Sequence, residues 1–266
     1  VSVNVGEDEN DPVFCITDLL PHLGAEQNDR KLSDGIKAEE LNVLIGSDAV
    51  EEEDVKEAVK LNTLILLHEK YGITERDFTR AEIEVVPAHK ARDVGFDRSM
   101  VGGYGHDDRV DAYPALVAEI ETKDPMHTTV CVLTDKEEIG SVGASGMHSL
   151  FFENLVAELV ALTTGAESDL KVRRALANSR MLSSDVSAGF DPLYPEVFEK
   201  RSSAFFSKGL VFNKFTGSRG KSGSNDADAE FLAKVRKVMD DGSVAYQFAE
   251  LGKVDAGGGG TIAYIM

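Results

Sequence analysis

From about residue 96 the chain alternates helix-forming and strand-forming periodicities, and this alternation limits the fold more than any other feature. The pattern predicts a helix from Asp108 towards Glu121, with Pro114 tolerated or kinking it. An apolar β-rich run, Thr128–Thr134, follows, then an amphipathic helix over about Ser149–Thr163 and another over Asp169–Asn178. Strands are expected at Met181–Ser184, Leu210–Phe215 and Val244–Glu250, with a helix over Asp226–Met239 between the last two. Helices alternating with strands predict an α/β fold, a mixed, mostly parallel sheet sandwiched by helices. Ligand groups in such sheets gather outside the carboxyl ends of the strands. Glu137, Glu138 and Asp185 all fall at such ends.

Residues 1 to about 95 read as a separate α+β unit. Strand signals at Val1–Val5 and Val13–Thr17 flank the acidic turn Gly6–Pro12, which lacks the 12-residue ligand spacing of a calcium loop and reads as a solvated hairpin. A polar stretch, Ala25–Glu40, precedes the apolar Leu41–Gly46. Glu52–Tyr71 is expected to be a helix, with acids in its first turn, an apolar face containing Val55, Val59, Ile65 and Leu66, and Gly72 as its stop. Ala81–Pro87 alternates like a strand. The chain opens inside a strand pattern and closes as a helix starts after Gly257–Gly260, so an internal portion of a longer protein is expected.

Composition narrows the class of function. The formal net charge is −19 over 266 residues, and no lysine- or arginine-rich patch appears. Phosphate backbones and anionic membranes require clustered cations, so neither nucleic acid nor a membrane surface is an expected partner. No apolar run approaches the roughly 20 residues of a membrane span. Cys15 and Cys131, the two cysteines, sit in apolar strand-like runs and read as reduced core thiols, which points to a cytoplasmic protein.

The chemistry concentrates after the run 128–134. Asp135-Lys136-Glu137-Glu138-Ile139-Gly140-Ser141 sets two adjacent carboxylates at a strand end, followed by small residues that let the backbone turn. One such carboxylate can hold a divalent cation while its neighbour takes a proton from water. Gly105-His106-Asp107-Asp108-Arg109 upstream and Leu182-Ser183-Ser184-Asp185-Val186 downstream each add an aspartate at an element edge. Together Asp107, Glu137, Glu138 and Asp185 supply hard oxygen ligands and one base, the inventory of a two-metal hydrolytic site.

These motifs, with Ser183–Ala188 and Gly257–Ala263, resemble the co-catalytic zinc aminopeptidases of the aspartyl aminopeptidase family (metallopeptidase family eighteen), in particular its bacterial and clostridial members. The resemblance runs over essentially the whole chain. It implies a zinc exopeptidase-like catalytic domain over 96–266, incomplete at its C-terminal end, and an inserted dimerisation and assembly domain over 1–95. It implies a metalloaminopeptidase that hydrolyses the N-terminal residue of peptides at a dinuclear site holding two Zn2+, with Co2+ or Mn2+ as other possible occupants. In that scheme Asp107 bridges the metals, with Asp108 the adjacent alternative. Glu137 is the general base, Glu138 ligates one metal and Asp185 the other. Lys208, Gly258 and Gly259 lie where the family contacts substrate, and dimers assemble into a tetrahedral homo-oligomer. The family's two histidine ligands fall upstream of residue 1 and downstream of Met266. Histidines of the aspartyl aminopeptidases proper are replaced here by Ala188 and Asp191. A second reading therefore stands beside the enzyme: an incomplete assembly subunit that self-associates without turnover.

Other motifs carry less. His22, His68, His89, His106, His127 and His148 form no His-Glu-x-x-His pattern, which excludes a thermolysin-like site; His106 beside Asp107 could hydrogen-bond behind a ligand, and His148 suits a cap or core role. Gly217–Ser222 resembles a phosphate loop but places its first glycine too close to the second, because Phe215 occupies the required position. Gly257–Gly260 fails the dinucleotide spacing, and no serine or cysteine sits in a nucleophile-elbow sequence.

Overall fold

A computed structural model describes residues 1–216, 225–255, 258 and 262–265. The phosphate-loop-like stretch lies outside the described residues, as do Gly257, Gly259 and Gly260. The chain divides into two compact units, Val1–Tyr104 and Gly105–Met266.

The first unit is built from short pieces. Strands β1 (Cys15–Ile16) and β2 (Val43–Leu44) pair antiparallel, and β3 (Arg92–Val94) pairs antiparallel with β4 (Met100–Gly102). The sequence pattern had not indicated this second hairpin; its signal is the turn chemistry of Gly95-Phe96-Asp97-Arg98-Ser99, where Gly95 and Arg98 adopt positive φ. A single-turn helix α1 (Ala25–Asn28) precedes the main helix α2 (Ala58–Tyr71), which ends on left-handed Gly72 as expected. Helix α2 starts six residues later than expected. Four consecutive acids, Glu51–Asp54, repel one another within a single turn, and Asp54 and Glu57 turn left-handed instead. Val1–Val5 and Ala81–Pro87 form no strand. Cys15 is exposed, so its expected role as a core thiol is corrected: a two-residue ladder has no layer laid over it.

In the second unit α3 (His106–Glu121) accommodates Pro114, and α4 (Phe151–Thr164) and α5 (Asp169–Asn178) pack against each other. Ser168 caps α5 by accepting from the Lys171 N–H, and Gly165 closes α4 in the left-handed region. Strand β5 (Leu210–Phe212) and β6 (Tyr246–Phe248) run parallel in register Leu210↔Tyr246, joined through α6 (Ala229–Asp241). The Tyr246 hydroxyl accepts from Arg236 Nε (3.2 Å) and donates to Asp240 (3.0 Å), tying that helix to its strand.

The single mostly parallel sheet expected from the alternation is not what the described residues form. They form three separate two-stranded ladders, of which β5–β6 alone is parallel. The runs 128–134 and 181–184 stay outside any ladder because a strand exists only where a neighbour meets its N–H and C=O groups. Burial nevertheless alternates from Met181 to Gly189, so Ser183, Asp185 and Ser187 share the inner face of an extended segment. Among the described residues the buried hydrophobic side chains are Met147, Val172, Ala204 and Ala249, all in the second unit. No helix among them is long and apolar enough to cross a membrane.

Candidate active site

The candidate carboxylates stand on three separate pieces of backbone in the second unit. Asp107 and Asp108 open α3 in non-helical conformations behind left-handed Gly105, which frees both side chains from the regular turn that follows. Glu137 and Glu138 occupy a short helical turn, Glu137–Ile139, bounded by left-handed Lys136 and Gly140. Asp135 braces the turn by accepting from Ser145 Oγ (3.1 Å) and pairing with Lys136 (3.1 Å). The backbone then folds back tightly: Ser141 N donates to the Lys136 carbonyl (2.7 Å) and His148 N to the Ser141 carbonyl (3.0 Å). Gly146 sits inside this loop, where any Cβ would collide with the carbonyls of Ser141 and Val142, so only glycine fits. Asp185 lies on the inner face of the extended segment, its Oδ1 accepting from the Val186 N–H (2.7 Å).

The four candidates act on one another electrostatically. Glu137 has its proton affinity raised by burial first, then by the charges of Asp185, Glu138, Asp107 and Asp108, although the residue as a whole is exposed. Asp185, half-buried, is raised by burial and by Asp107, Asp108 and Asp111, against the lowering bond from Val186. Asp111 joins the cluster: burial and the charges of Asp108 and Asp107 raise it, and His106 opposes them. Sequence reasoning passed over Asp111; its signal was the spacing of three from Asp108 and four from Asp107 at the head of a helix.

Such a set has the chemistry of a cation site. Carboxylates drawn together without a neutralising partner hold protons more tightly, and a divalent cation relieves that repulsion. The oxygen donors fit such an ion in kind, although among the described residues no three His, Cys, Asp or Glu side chains already converge as a metal-holding group. A carboxylate of raised proton affinity is also suited to take a proton from water near neutral pH.

The expected substrate residues are less closely tied. Lys208 is exposed on the turn before β5, between Ser207 and Gly209, both at positive φ. Gln247 on β6 grips that turn, accepting from Phe205 N (2.9 Å) and donating to the carbonyls of Phe205 (3.0 Å) and Gly209 (3.2 Å). No described hydrogen bond or ion pair joins Lys208 to the carboxylates. Gly258 is exposed with φ +109°, a conformation suited to glycine; Gly259 lies outside the described residues. Beyond the Gly-rich run, Tyr264 meets the ring of His148 edge-on at 6.3 Å, bringing that end of the chain to the loop behind Glu137 and Glu138.

Comparison with known proteins gives the family of the chain. The profile of the aminopeptidase I zinc metalloprotease (M18) family matches residues 1–266. The probable M18 family aminopeptidase 1 of Clostridium acetobutylicum is 58% identical over 266 residues, covering 100% of this chain and 57% of that protein. The crystal structure of aminopeptidase I from Clostridium acetobutylicum superposes with a TM-score of 0.88 at 57% identity, over 100% of this chain and 57% of that one. An M18-family aminopeptidase structure from Thermotoga maritima gives 0.91 at 44% identity, over 99% and 58%. This chain therefore spans a little over half the length of these relatives, and its architecture fits the zinc exopeptidase-like fold of those structures. It belongs to the aminopeptidase I zinc metalloprotease (M18) family.

Proposed function

We propose that the complete protein is a zinc-dependent aminopeptidase that releases the N-terminal residue of peptides, with Glu137 as its general base. The observation that carries this reading is the placement of Glu137 on a tight turn bounded by left-handed Lys136 and Gly140, where burial and then the charges of Asp185, Glu138, Asp107 and Asp108 raise its proton affinity. Asp107, Glu138 and Asp185 would hold two zinc ions, Asp107 between them. Zinc, when bound, supplies Lewis-acid polarisation of the scissile carbonyl and lowers the proton affinity of water. Glu137 takes the proton from the attacking water and passes it to the departing amine, a general-base contribution of roughly 10²–10⁴-fold. Its raised proton affinity suits both halves of that transfer. Lys208, Gly258 and Gly259 are assigned to substrate binding.

Residues 1–95 are assigned to self-association in the cytoplasm, through dimers that build a larger tetrahedral particle. The support is an uncovered apolar face on α2, where Val59, Ile65 and Leu66 are exposed, in a unit that carries none of the candidate ligands.

Glu137→Gln in the complete protein tests the central role, read by turnover of an N-aminoacyl chromogenic substrate beside zinc analysis. Turnover should fall by at least roughly a hundred-fold with zinc retained. Substantial residual turnover would assign the proton transfer elsewhere.

A further inference from the structure

We infer that Asn213 is a positioning residue for Asp185, acting through Ser187, an inference that rests on reading Asp185 as a metal ligand. Asn213 follows β5 at its carboxyl end, the edge where α/β sheets present functional groups. Its Nδ2 donates to Ser187 Oγ at 3.3 Å across 26 residues of sequence. Ser187 stands on the inner face that also carries Ser183 and Asp185, so anchoring it sets the rotation of that whole face.

Two further facts set this contact apart from an ordinary surface hydrogen bond. The other amide atom, Asn213 Oδ1, is buried without a partner among the described residues, and so is Ser183 Oγ, two residues from Asp185. Buried polar atoms are normally satisfied, and exceptions in a native structure call for a specific cause. Turning the amide over exchanges the two ends but still leaves one buried atom unpaired. Asn213 Oδ1 belongs to the segment–strand contact and Ser183 Oγ to the face that carries Asp185; the segment's other tie is the isolated bridge of Gly189 to Ala204, beyond Ser187. Among the described residues the one hydrogen bond to the Asp185 carboxylate is the local one from the Val186 N–H, and this orients the carboxylate only relative to its own backbone. Asn213 relates that backbone to the strand. Groups behind a metal ligand typically govern affinity or activity by 10–100-fold.

The test is calorimetric zinc titration of the metal-free complete protein and its Asn213→Ala, Ser187→Ala, double and Asp185→Asn variants, with circular dichroism to verify folding. Asn213→Ala and Ser187→Ala should each weaken zinc binding by roughly ten-fold or more, and the double variant should match the worse single one, because both remove one link. Additive losses, or an Asn213→Ala affinity within two-fold of the parent while Asp185→Asn binds poorly, would overturn the positioning role and leave the site reading intact. Unchanged affinity in Asp185→Asn would overturn both. Should Asn213→Ala not fold, Ser187→Ala against Ser187→Thr decides: loss in the first with recovery in the second supports the link, and no loss in the first overturns it.

Discussion

Residues 1–104 and 105–266 differ in their acidic groups: both hold carboxylates lowered by local donors, Asp135 and Glu199 among them in the second unit, but raised ones occur in the second unit alone among the described residues. In the first unit the perturbed carboxylates are all lowered, each by donors close in sequence: Asp8 by Asn10, Asp18 by Gln27 and Leu19, Glu40 by Arg30, Asp77 by Thr74 and Arg80. Arg30 grips both oxygens of Glu40 at 2.8 and 2.9 Å, and Thr74 with Asp77 forms a reciprocal cap. Every raised carboxylate, namely Asp111, Glu137, Asp185 and Glu250, lies in the second unit. The first unit uses charge to fasten short turns and has no fully buried hydrophobic side chain; the second has a small apolar core and leaves acids facing acids. Satisfied charge serves structure, whereas frustrated charge is available for chemistry.

The largest gap between the units is expected in turnover. Glu138→Ala in the complete protein should cost more than the 10–100-fold typical of changes behind a ligand, while Glu75→Ala, which breaks the exposed Lys60 pair at 2.6 Å, should leave kcat/KM unchanged. Similar losses from both would erase the division of labour. Assembly comes next. Removing residues 1–95 should lower the particle mass measured by light scattering, and an unchanged mass would place self-association in the second unit.

Core substitutions should separate the units by a smaller margin. Val172, 8% exposed on α5, should cost about 1–2 kcal/mol on truncation to alanine. Leu32, 99% exposed, should stay within about 0.5 kcal/mol. Thermal melts of the two variants measure the difference, and equal costs would mean that Leu32 is covered in the assembled protein.

The smallest effect is a difference in pH slope. Asp77 has a lowered proton affinity, so its stabilisation is present above the ordinary aspartate value of 3.8 and is lost as pH falls through the lowered one. Glu250 is raised by burial, so its contribution is favourable below the ordinary 4.5 and is lost as pH rises through the raised value. Asp77→Asn should therefore lower Tm at neutral pH and not in acid, whereas Glu250→Gln should raise Tm at neutral pH and leave acid stability alone. Shifts of the same sign at neutral pH would contradict the opposed electrostatics.

Much of the second unit was legible in the residues because its signals act within a turn or two. The span Asp169–Asn178 matches its expectation to the residue, since Ser168 caps one end and the apolar spacing supplies the face. Phe151–Thr164 starts two residues later and ends one residue later than expected, and Ala229–Asp241 is displaced towards the C-terminus by two to three residues, because a cap and a stop glycine leave the terminal turn adjustable. Thr128–Thr134 shows the converse: its composition suits a strand, but a strand needs a partner that no local pattern specifies. Asp111 was passed over for a related reason, since its charge matters only through the distance to Asp107 and Asp108 once α3 has formed.

The sequence by itself determined the elements and the inventory: adjacent carboxylates after an apolar run, aspartates at two further element edges, glycines where the backbone must turn left, and membership of a metallopeptidase family. Those features depend on neighbours a few bonds away. The tertiary structure alone decided which acids face one another, that Gln247 holds the turn bearing Lys208, and that Asn213 reaches Ser187. Coulomb and hydrogen-bond energies depend on distance through space, and residues 26 or 42 positions apart acquire that distance only when the chain has folded.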